Sequence, residues 1–538
     1  MLDRLLLTRY CHGVMFVRIK QSGGRRYLQL VENHWQDGHS RQRVIATLGR
    51  LERLQVTGQL DNVVKALSRF SEQVQVVAAH ASGHLVARSV KRIGPALVMD
   101  RLWQRLGLAE VLTSLLRGRR HRYAVERMIY FTVLSRLFFP GSDRRALRMA
   151  RDYQLALPKA PKLHQLYRAM AWLGEAQDEV EERLFARNRN LFTGLSLVFF
   201  DTTSLYFEGH GGESLGRHGF SKDGCPEERQ MIVGAVIGAT GRPISCPMWP
   251  GNTADVTTLK PVVERLRERF GVRDVVVVAD RGMISKRTVE WLETSRVGYI
   301  LGVRMRPARD LWDAVAGTKD YRPVKDNLQV KEVTIAGKRY VVCYNPEEAS
   351  RDAQARAALL ENLRKRLAQG AQRVVGNRGF RQYLRIEQQA VTIDEEKIAA
   401  AARFDGKYVL QTNTGLEAEV VALKYKELWQ VERVFREVKS VLRTRPVYHK
   451  YDLTIKGHVF CSFLALVVMK ELLKTVGAGV SWDVIRQDLD ALCETEVELD
   501  GKRYLLRSPL PGVSGKVLKA NGIAAPPTVV ALPPGPAT

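Results

Sequence analysis

Two stretches decide the fold: LSLVFFDTTSLYF at residues 195–207 and VRDVVVVAD at residues 272–280. Each contains a continuous run of β-branched and aromatic residues, which is typical of a strand buried on both faces of a sheet. Asp201 and Asp280 follow these runs, so we expect each carboxylate to emerge where a buried strand reaches the edge of the sheet. Neighbouring strands lie about 4.8 Å apart, and the two aspartates can therefore share metal ions.

The chemistry of such a pair favours magnesium. Two adjacent carboxylates repel each other unless a cation lies between them. Mg²⁺ prefers a few hard oxygen ligands and leaves positions for phosphate oxygens. Two such ions, about 3.5 to 4 Å apart, activate a water or a 3′-hydroxyl and stabilise the leaving oxygen. The pattern therefore predicts phosphoryl transfer.

Other interpretations of these aspartates exist, because a single aspartate after a strand is more often a turn or cap residue. Two further carboxylates compete for the same role, Asp223 in GFSKDG and Asp255 in GNTAD. Asp255 is better suited to cap the helix that VTTLKPVVERL predicts. The strongly basic composition of the chain favours Asp201 and Asp280 as metal ligands.

A long helix predicted at residues 417–443 supplies the third ligand. It carries two stripes at spacings of three and four residues. The apolar stripe consists of Leu428, Val431, Phe435, Val438 and Leu442, and the mixed stripe consists of Tyr425, Trp429, Glu432, Arg436, Lys439 and Arg443. Glu432 is the only acid of the mixed stripe, which favours a metal ligand close to DNA phosphates.

The aromatic and basic residues of the mixed stripe predict contacts with DNA. Tyr425 and Trp429 can stack on bases or sugars, whereas Arg436 and Lys439 can hold phosphates. Tyr425 and Trp429 could equally be edge residues of the hydrophobic core.

Further strands and helices surround these stretches. ERQMIVGAVIGA and RPISCPMWPG predict two more strands before a helix near 256–270, and this order implies a mixed α/β sheet. The pattern breaks over residues 302–405 and the sheet resumes at GKYVLQTN, so the intervening piece is predicted to be an insertion. An apolar helix is predicted at 453–474, and the Pro-rich tail from residue 524 is predicted to be disordered.

The N-terminal half shows a different pattern of predicted strands and helices. Residues 14–48 predict three short strands followed by a helix near 59–72, a module that could bind DNA. Apolar periodicity predicts helices from 96 to 192. RGRRHR at residues 117–122 lies at a turn between two of them, where it either contacts phosphates or is an ordinary solvated turn.

Composition indicates the partner. The chain has 84 Lys and Arg against 57 Asp and Glu, a net charge of +27 spread over 538 residues, which favours nucleic acid. The six cysteines show no zinc spacing and are predicted to be reduced thiols. We find no signal peptide, and the longest apolar run, Val459 to Met469, is too short to span a membrane. These features predict a cytoplasmic protein with no membrane partner.

The residues resemble a known family through the following blocks, in this order: FFDTTSLYFEG, GFSKDGCPEERQMIVG, GNTADVTTL, VVVADRGMISKRTVEWL, FDGKYVLQTN, YKELWQVERVFREVKSVLRTRPVYH and IKGH. Over residues 195–475 the chain is similar to the DDE transposases of bacterial insertion sequences. The subgroup is the one with a Tyr-Arg-Glu-Lys signature and a β-rich insertion in a ribonuclease H-like core.

The resemblance implies that Asp201, Asp280 and Glu432 are the catalytic triad and the metal ligands. Tyr425 and Lys439 match the signature seven residues before and after the glutamate. Leu428 stands where the family pattern has arginine. The phosphate contact of that position is therefore absent or is made by Arg433 or Arg436.

The resemblance also implies a reaction and partners. The expected enzyme is a DNA transposase that cleaves transposon ends and transfers strands into target DNA, by cut-and-paste through a hairpin intermediate. Its cofactor is two Mg²⁺ ions, with Mn²⁺ able to substitute. Its partners are double-stranded DNA, as terminal inverted repeats and target, and a second copy in a synaptic homodimer that associates with the bacterial nucleoid. The alternatives are a ribonuclease H-like nuclease without strand transfer and an inactive DNA-binding remnant or regulator.

The predicted fold class is α/β, a ribonuclease H-like mixed sheet interrupted by a β-rich insertion, with a small N-terminal β/helical module and a helical region. The predicted boundaries are an N-terminal DNA-recognition module at 1–75, a helical region at 76–194, a catalytic core at 195–301 and 406–475, an insertion at 302–405 and a C-terminal segment at 476–538.

Overall fold

The computed structural model describes residues 15–36, 39–60, 62–63, 85–188, 197–272, 275–303, 315–317, 320–325, 327–370, 372–387, 390–499 and 502–533. These residues form two compact units. The described residues of 1–90, 495–506 and 529–538 form the first, and those of 91–494 and 507–528 form the second.

The first unit begins with an antiparallel meander of β1 (Met15–Ser22), β2 (Arg25–Gln36) and β3 (His39–Arg50). Gly23 and Gly24 form the first turn with positive φ, which glycine adopts without strain. The three strands expected from the sequence are therefore present. A short helix, α1 (Leu51–Val56), follows at once, and most of the helix expected near 59–72 lies outside the described residues.

Helices form the N-terminal part of the second unit, and their bounds are α2 (Gly94–Arg105), α3 (Leu108–Leu116), α4 (Val125–Phe138), α5 (Asp143–Asp152), α6 (Leu163–Glu175) and α7 (Gln177–Arg187). Almost every residue of α4 is buried, so this helix lies at the centre of the bundle. RGRRHR connects α3 to α4 and is exposed, as its position at a turn predicts.

A large mixed sheet follows. Its strands are β5 (Leu197–Tyr206), β6 (Gln230–Gly238), β7 (Pro243–Ser245), β8 (Met248–Pro250), β9 (Val276–Ala279), β10 (Gly298–Gly302), β11 (Arg322–Lys325), β12 (Leu328–Ile335), β13 (Lys338–Tyr344) and β16 (Lys407–Thr412). The spatial order is β11-β12-β13-β16-β10-β9-β5-β6-β7, and β8 pairs with β6.

Five strands of this sheet give the ribonuclease H-like topology. β5, β6 and β7 are antiparallel neighbours, whereas β9 and β10 lie parallel to β5 on its other side. Phe199 and Phe200 are both fully buried but belong to different clusters, because successive side chains of a strand point to opposite faces. The strand is therefore covered on both faces, as its continuous apolar run predicted.

The helices that pack around and beyond the sheet are α8 (Leu259–Glu268), α9 (Lys286–Thr294), α10 (Pro346–Leu367), α11 (Gln372–Val375), α12 (Arg378–Arg381), α13 (Glu395–Ala402), α14 (Ala418–Lys426), α15 (Trp429–Arg436), α16 (Asp452–Val476), α17 (Trp482–Ala491) and α18 (Ser514–Ala520). The long apolar helix α16 packs against α6. Gly174 and Gly457 permit this contact, since a Cβ on either would collide with the backbone of the other helix.

The segment between β10 and β16 has two parts. β11, β12 and β13 extend the large sheet beyond β16. The helices α10 to α13 and a hairpin of β14 (Leu384–Glu387) and β15 (Ala390–Ile393) follow, with a separate small core that includes Leu363 and Phe380.

The C-terminal residues correct one expectation. β17 (Cys493–Leu499), β18 (Lys502–Arg507) and β19 (Val529–Ala531) form a sheet with β4 (Leu85–Arg92), in the order β19-β18-β17-β4. The prediction that the tail is disordered from residue 524 is wrong for this strand. Val529 and Val530 have high β propensity, and their backbone pairs with Leu505 and Leu506 of β18.

Two expectations from composition can be compared with the described residues. The described cysteines are all free thiols: Cys225, Cys246, Cys343, Cys461 and Cys493. In the part of the chain that the structure describes, no helix is long and apolar enough to cross a membrane.

Candidate active site

The parallel pairing of β5 with β9 brings Asp201 and Asp280 side by side. Phe200 pairs with Ala279, so the two aspartates are the next residues on neighbouring strands. Asp280 follows the end of β9, as predicted. The expectation that β5 also ends at Asp201 is wrong, because pairing with β6 continues as far as Tyr206.

Glu432 lines the same pocket as the two aspartates. The pocket has a volume of about 320 Å³ and is lined by Asp201, Asp280, Tyr408, Tyr425, Lys426, Leu428, Trp429 and Glu432. Glu432 is exposed on α15. Among the described residues, no three His, Cys, Asp or Glu side chains form a ready-made metal cluster. The three predicted carboxylates therefore share one pocket without forming a closed cage.

Asp201 is held in an environment that suits a cation. The backbone N–H of Thr202 donates a 2.7 Å hydrogen bond to its Oδ1 atom. Burial raises the pKa of Asp201 to about 6, Lys222 opposes this rise, and the charges of Asp280 and Asp255 add to it. A positive ion in the pocket would remove the repulsion among these acids.

Tyr425 orients the second aspartate. Its hydroxyl donates a 2.8 Å hydrogen bond to Oδ1 of Asp280, and its ring stacks on Tyr408. Burial, and then the charge of Asp280, raise the pKa of the Tyr425 hydroxyl, so it remains a proton donor. Gly302 makes room for this arrangement, since a Cβ there would collide with the hydroxyl.

The cation Lys222 lies close to Asp201 and lowers its pKa. Nζ of Lys222 donates to the carbonyl oxygen of Thr202 at 2.9 Å and lies 2.9 Å from Oδ2 of Asp255. The Thr202 hydroxyl donates to the other oxygen of Asp255 at 2.7 Å. The expectation that Asp255 caps a helix is wrong, because its carboxylate is engaged by Lys222 and Thr202 and makes no cap hydrogen bond.

Lys439 belongs to a second buried ion cluster. Its Nζ atom donates to Thr203 at 2.5 Å and to Asp223 at 2.6 Å, and Arg445 binds the same oxygen of Asp223 at 2.7 Å. Only 3% of the Asp223 side chain is exposed. The cluster ties the loop that contains Asp223 to β5 and to the segment after α15.

The other residues expected to bind DNA differ in their surroundings. Trp429 lies at the pocket with 53% of its surface exposed. Arg436 is exposed, and Arg433 pairs with Glu437 at 3.1 Å. Leu428 is almost fully buried and packs against the core, in agreement with its place on the apolar stripe.

The helix predicted at 417–443 is not continuous. Hydrogen bonds of the i to i+3 type tighten the turn between α14 and α15, and residues Glu437–Val441 form a π-helical turn. Both irregularities change the rotation of the helix. Tyr425, Trp429 and Glu432 still line one pocket, whereas Lys439 contacts Thr203 and Asp223 instead.

A buried histidine holds the segment that follows this helix. His458 Nε2 lies 2.9 Å from the Thr444 carbonyl oxygen, and its Nδ1 atom lies 2.9 Å from Nη2 of Arg136, which also contacts Asp143. These partners imply that Nε2 donates to Thr444 and Nδ1 accepts from Arg136. Burial, and then the Arg136 charge, hold the pKa of His458 well below its usual range.

Lys222, Thr202 and Gly302 are residues of the site that the sequence interpretation missed. The signal for the first two was present, since hydroxyl residues directly follow Asp201 and Lys222 precedes Asp223. The spacing alone did not indicate which of these residues would meet. Gly302 carries no local signal, because its role depends on Tyr425, far away in the sequence.

Two family models match the chain. The family model "Transposase DDE domain" matches residues 193–468, and "IS1634 family transposase, N-terminal domain" matches residues 16–80. No curated protein sequence matches the chain. The chain is similar to the piggyBac transposase in a synaptic complex with hairpin DNA, with 9% identity, coverage of 74% of this chain and 79% of that chain, and a TM-score of 0.35. For Mos1 transposase in a paired-end complex with the left transposon end, the identity is 13%, the coverage 36% and 57%, and the TM-score 0.15.

Proposed function

Because the chain belongs to the DDE transposase family of bacterial insertion sequences, we propose that Asp201, Asp280 and Glu432 are its catalytic carboxylates. The protein is a DNA transposase, an enzyme of the polynucleotidyl transferase and endonuclease class, and it depends on a divalent metal ion. The observation that carries the assignment is the shared pocket, to which β5, the end of β9 and α15 each contribute one acid.

The three carboxylates fit a magnesium site in their chemistry. They supply hard oxygen ligands, and the raised pKa of Asp201 reflects burial and repulsion among acids that a cation would relieve. Asp201 and Asp280 would hold the metal, and Glu432 would complete its ligands from the exposed side. Bound there, two Mg²⁺ ions, or Mn²⁺ in their place, would activate the attacking water or 3′-hydroxyl and stabilise the leaving oxygen.

The residues around the triad orient the carboxylates of Asp201 and Asp280. The amide of Thr202 fixes one oxygen of Asp201, and the hydroxyl of Tyr425 fixes one oxygen of Asp280. Each carboxylate keeps a second oxygen for a metal ligand bond. Lys222 neutralises Asp255, so the net negative charge of the pocket lies on the catalytic acids.

Contacts with the substrate extend from the same helix. Trp429 and Arg436 are exposed beside Glu432, where they can hold a sugar or a phosphate of the DNA end. Lys439 is bound to Asp223 and Thr203, and this supports a role in fixing the wall of the site. Buried Leu428 cannot make a phosphate contact, which leaves that contact to Arg433 or Arg436.

The proposed reaction is cut-and-paste transposition. The enzyme cleaves both strands at terminal inverted repeats and joins the freed 3′ ends to target DNA, with two copies in a synaptic dimer. Direct attack on phosphorus requires no covalent enzyme intermediate.

The test uses purified protein, Mg²⁺ and duplex DNA carrying the ends that flank its own gene. Asp201→Ala, Asp280→Ala and Glu432→Ala should each abolish cleavage and joining while DNA binding persists. Glu182→Ala, which removes an exposed acid on α7, is the matched control. Cleavage that survives a triad substitution would refute the site. Cleavage without joined product would indicate a nuclease, and binding alone would indicate an inactive remnant.

A further inference from the structure

Three segments that are distant in sequence meet around Tyr167 and Arg168 of α6. The ring of Tyr167 lies 5.5 Å from that of His449, edge to face. Burial, and then the charge of Asp143, raise the pKa of Tyr167, and the nearby charge of Arg144 on α5 opposes this rise. Burial also raises the pKa of Tyr123, and the nearby charge of Arg168 lowers it. One surface is therefore bordered by three segments: the RGRRHR turn, α5 and the residues that follow α15.

This surface is basic and solvent-exposed. Arg122, Arg144, Arg168 and Lys450 are exposed, and none of the four forms an ion pair with a described acid. Arg119 in the same turn differs, since it pairs with Glu175 at 3.2 Å. Exposed cations that border one surface and have no acidic partner of their own favour an anionic partner.

Aromatic rings lie among these cations. Tyr167 is 40% exposed and Tyr448 is 59% exposed. An exposed tyrosine beside cations is suited to pack against a sugar while its neighbours bind the adjacent phosphates. A surface that served only for solubility would require no such rings.

We propose that this surface, which we call the α6 surface and define as Arg122, Arg144, Tyr167, Arg168, Tyr448 and Lys450, binds the sugar-phosphate backbone of duplex DNA. The inference rests on the proposed function, because DNA is the substrate of that function. The segment with Tyr448 and Lys450 begins directly after the helix that carries Glu432 and Lys439. A short segment of chain therefore connects the α6 surface to the residues that follow α15.

The binding is independent of base sequence, since only backbone contacts are involved. Each lost phosphate contact should lower the slope of log affinity against log salt concentration by about one. The experiment measures this slope without divalent metal, with the element's end duplex and with a scrambled duplex of equal length. The variant carries Arg122→Gln, Arg144→Gln, Arg168→Gln and Lys450→Gln.

The expected result is a decrease in slope of about four, equal for both duplexes. A matched control carries Arg351→Gln, Arg364→Gln, Lys365→Gln and Arg381→Gln, which remove four exposed cations from α10 and α12. It should change the slope by much less. A lysine variant of the three arginines should retain the wild-type slope and thermal unfolding.

Equal losses in the glutamine variant and its control would overturn the proposal, because binding would then follow net charge alone. An unchanged slope in the glutamine variant, or a loss confined to one of the two duplexes, would also overturn it. Failure of the triad experiment would leave these binding measurements intact, so the two proposals fail separately.

Discussion

The hydroxyl of Tyr425 donates a 2.8 Å hydrogen bond to Oδ1 of Asp280. A residue of α14, the helix directly before the one that carries Glu432, therefore fixes the carboxylate at the end of β9. The position of the helix and the orientation of the aspartate are linked through this bond.

Tyr425→Phe removes only the hydrogen bond. Loss of such a partner of a metal ligand typically costs about 10- to 100-fold in metal affinity or activity. We expect cleavage by Tyr425→Phe to require more Mg²⁺ and to recover partly at high concentration. Cleavage rate against metal concentration measures this effect, and Tyr451→Phe, which alters an exposed tyrosine, is the control. A wild-type metal dependence would contradict the prediction.

Gly302→Ala should disrupt the same hydrogen bond between Tyr425 and Asp280 by a steric clash. The new Cβ would collide with the Tyr425 hydroxyl and lie 3.0 Å from Cζ, so the ring must leave Asp280. We expect a loss of cleavage at least as large as in Tyr425→Phe. Addition of Tyr425→Phe to the alanine variant should cause no further loss, because the two changes disrupt one contact. Gly415→Ala, where a Cβ meets open space, should cleave normally.

Lys222→Met leaves Asp255 without its cation and removes the donor to the Thr202 carbonyl. Lys222 lowers the pKa of Asp201, so its removal raises that pKa and a metal ion must displace a more tightly held proton. We expect cleavage to fall more at pH 6 than at pH 8. Asp255→Asn in the same chain should restore part of the activity, and Lys286→Met is an exposed control. An equal loss at both pH values would contradict this account.

Asp223→Asn removes the buried charge that holds Lys439 and Arg445. Removal of one partner of a buried pair costs about 3 to 5 kcal/mol, because the other charge stays uncompensated. Chemical denaturation should show this loss, and Asp223→Asn combined with Lys439→Met should recover part of it. Asp483→Asn on the exposed face of α17 should change stability by less than about 0.5 kcal/mol. If Asp223→Asn lost no more free energy of unfolding than Asp483→Asn, the prediction would be refuted.

The stability of the protein should decline in acid through His458. Its pKa is depressed in the folded state, so below about pH 6.5 the unfolded chain binds a proton that the folded chain does not. The free energy of unfolding should then fall by up to about 1.4 kcal/mol per pH unit for this group. His449, whose pKa is lowered mainly by burial, acts in the same direction. Denaturation curves from pH 7 downward should be less pH-dependent for His458→Gln, and an unchanged dependence would exclude His458 as the cause.

The sequence predicted the strands of the sheet well, because apolar β-branched runs such as VVVV have few alternatives to a buried strand. It predicted Asp201 and Asp280 as neighbours for the same reason. It placed the end of β5 wrongly, since the polar DTTS run resembles a turn but continues to pair with β6.

The contacts around the triad were less predictable. The pattern predicts that Tyr425 stacks on DNA or lies at the edge of the core, and it does not indicate the hydrogen bond to Asp280 or the stacking on Tyr408. It predicts a phosphate contact for Lys439 and does not indicate the buried Asp223 that binds this lysine. The hydrogen bond of Tyr425 and the ion pair of Lys439 join residues more than a hundred positions apart. Local periodicity predicts which side of a helix is polar, but it does not determine which partner a polar group meets.

The pairing of β10 with β16 has an evolutionary consequence. The chain leaves the core sheet at Gly302 and returns on the adjacent antiparallel strand, where Gly302 pairs with Leu410. The points of departure and return therefore lie next to each other. β13 also pairs with β16 and belongs to the sheet, but the helical part between these two strands, residues 345–406, can change in length without altering the register of β5 and β9. A one-residue insertion within β5, in contrast, would turn Asp201 to the opposite face of the sheet.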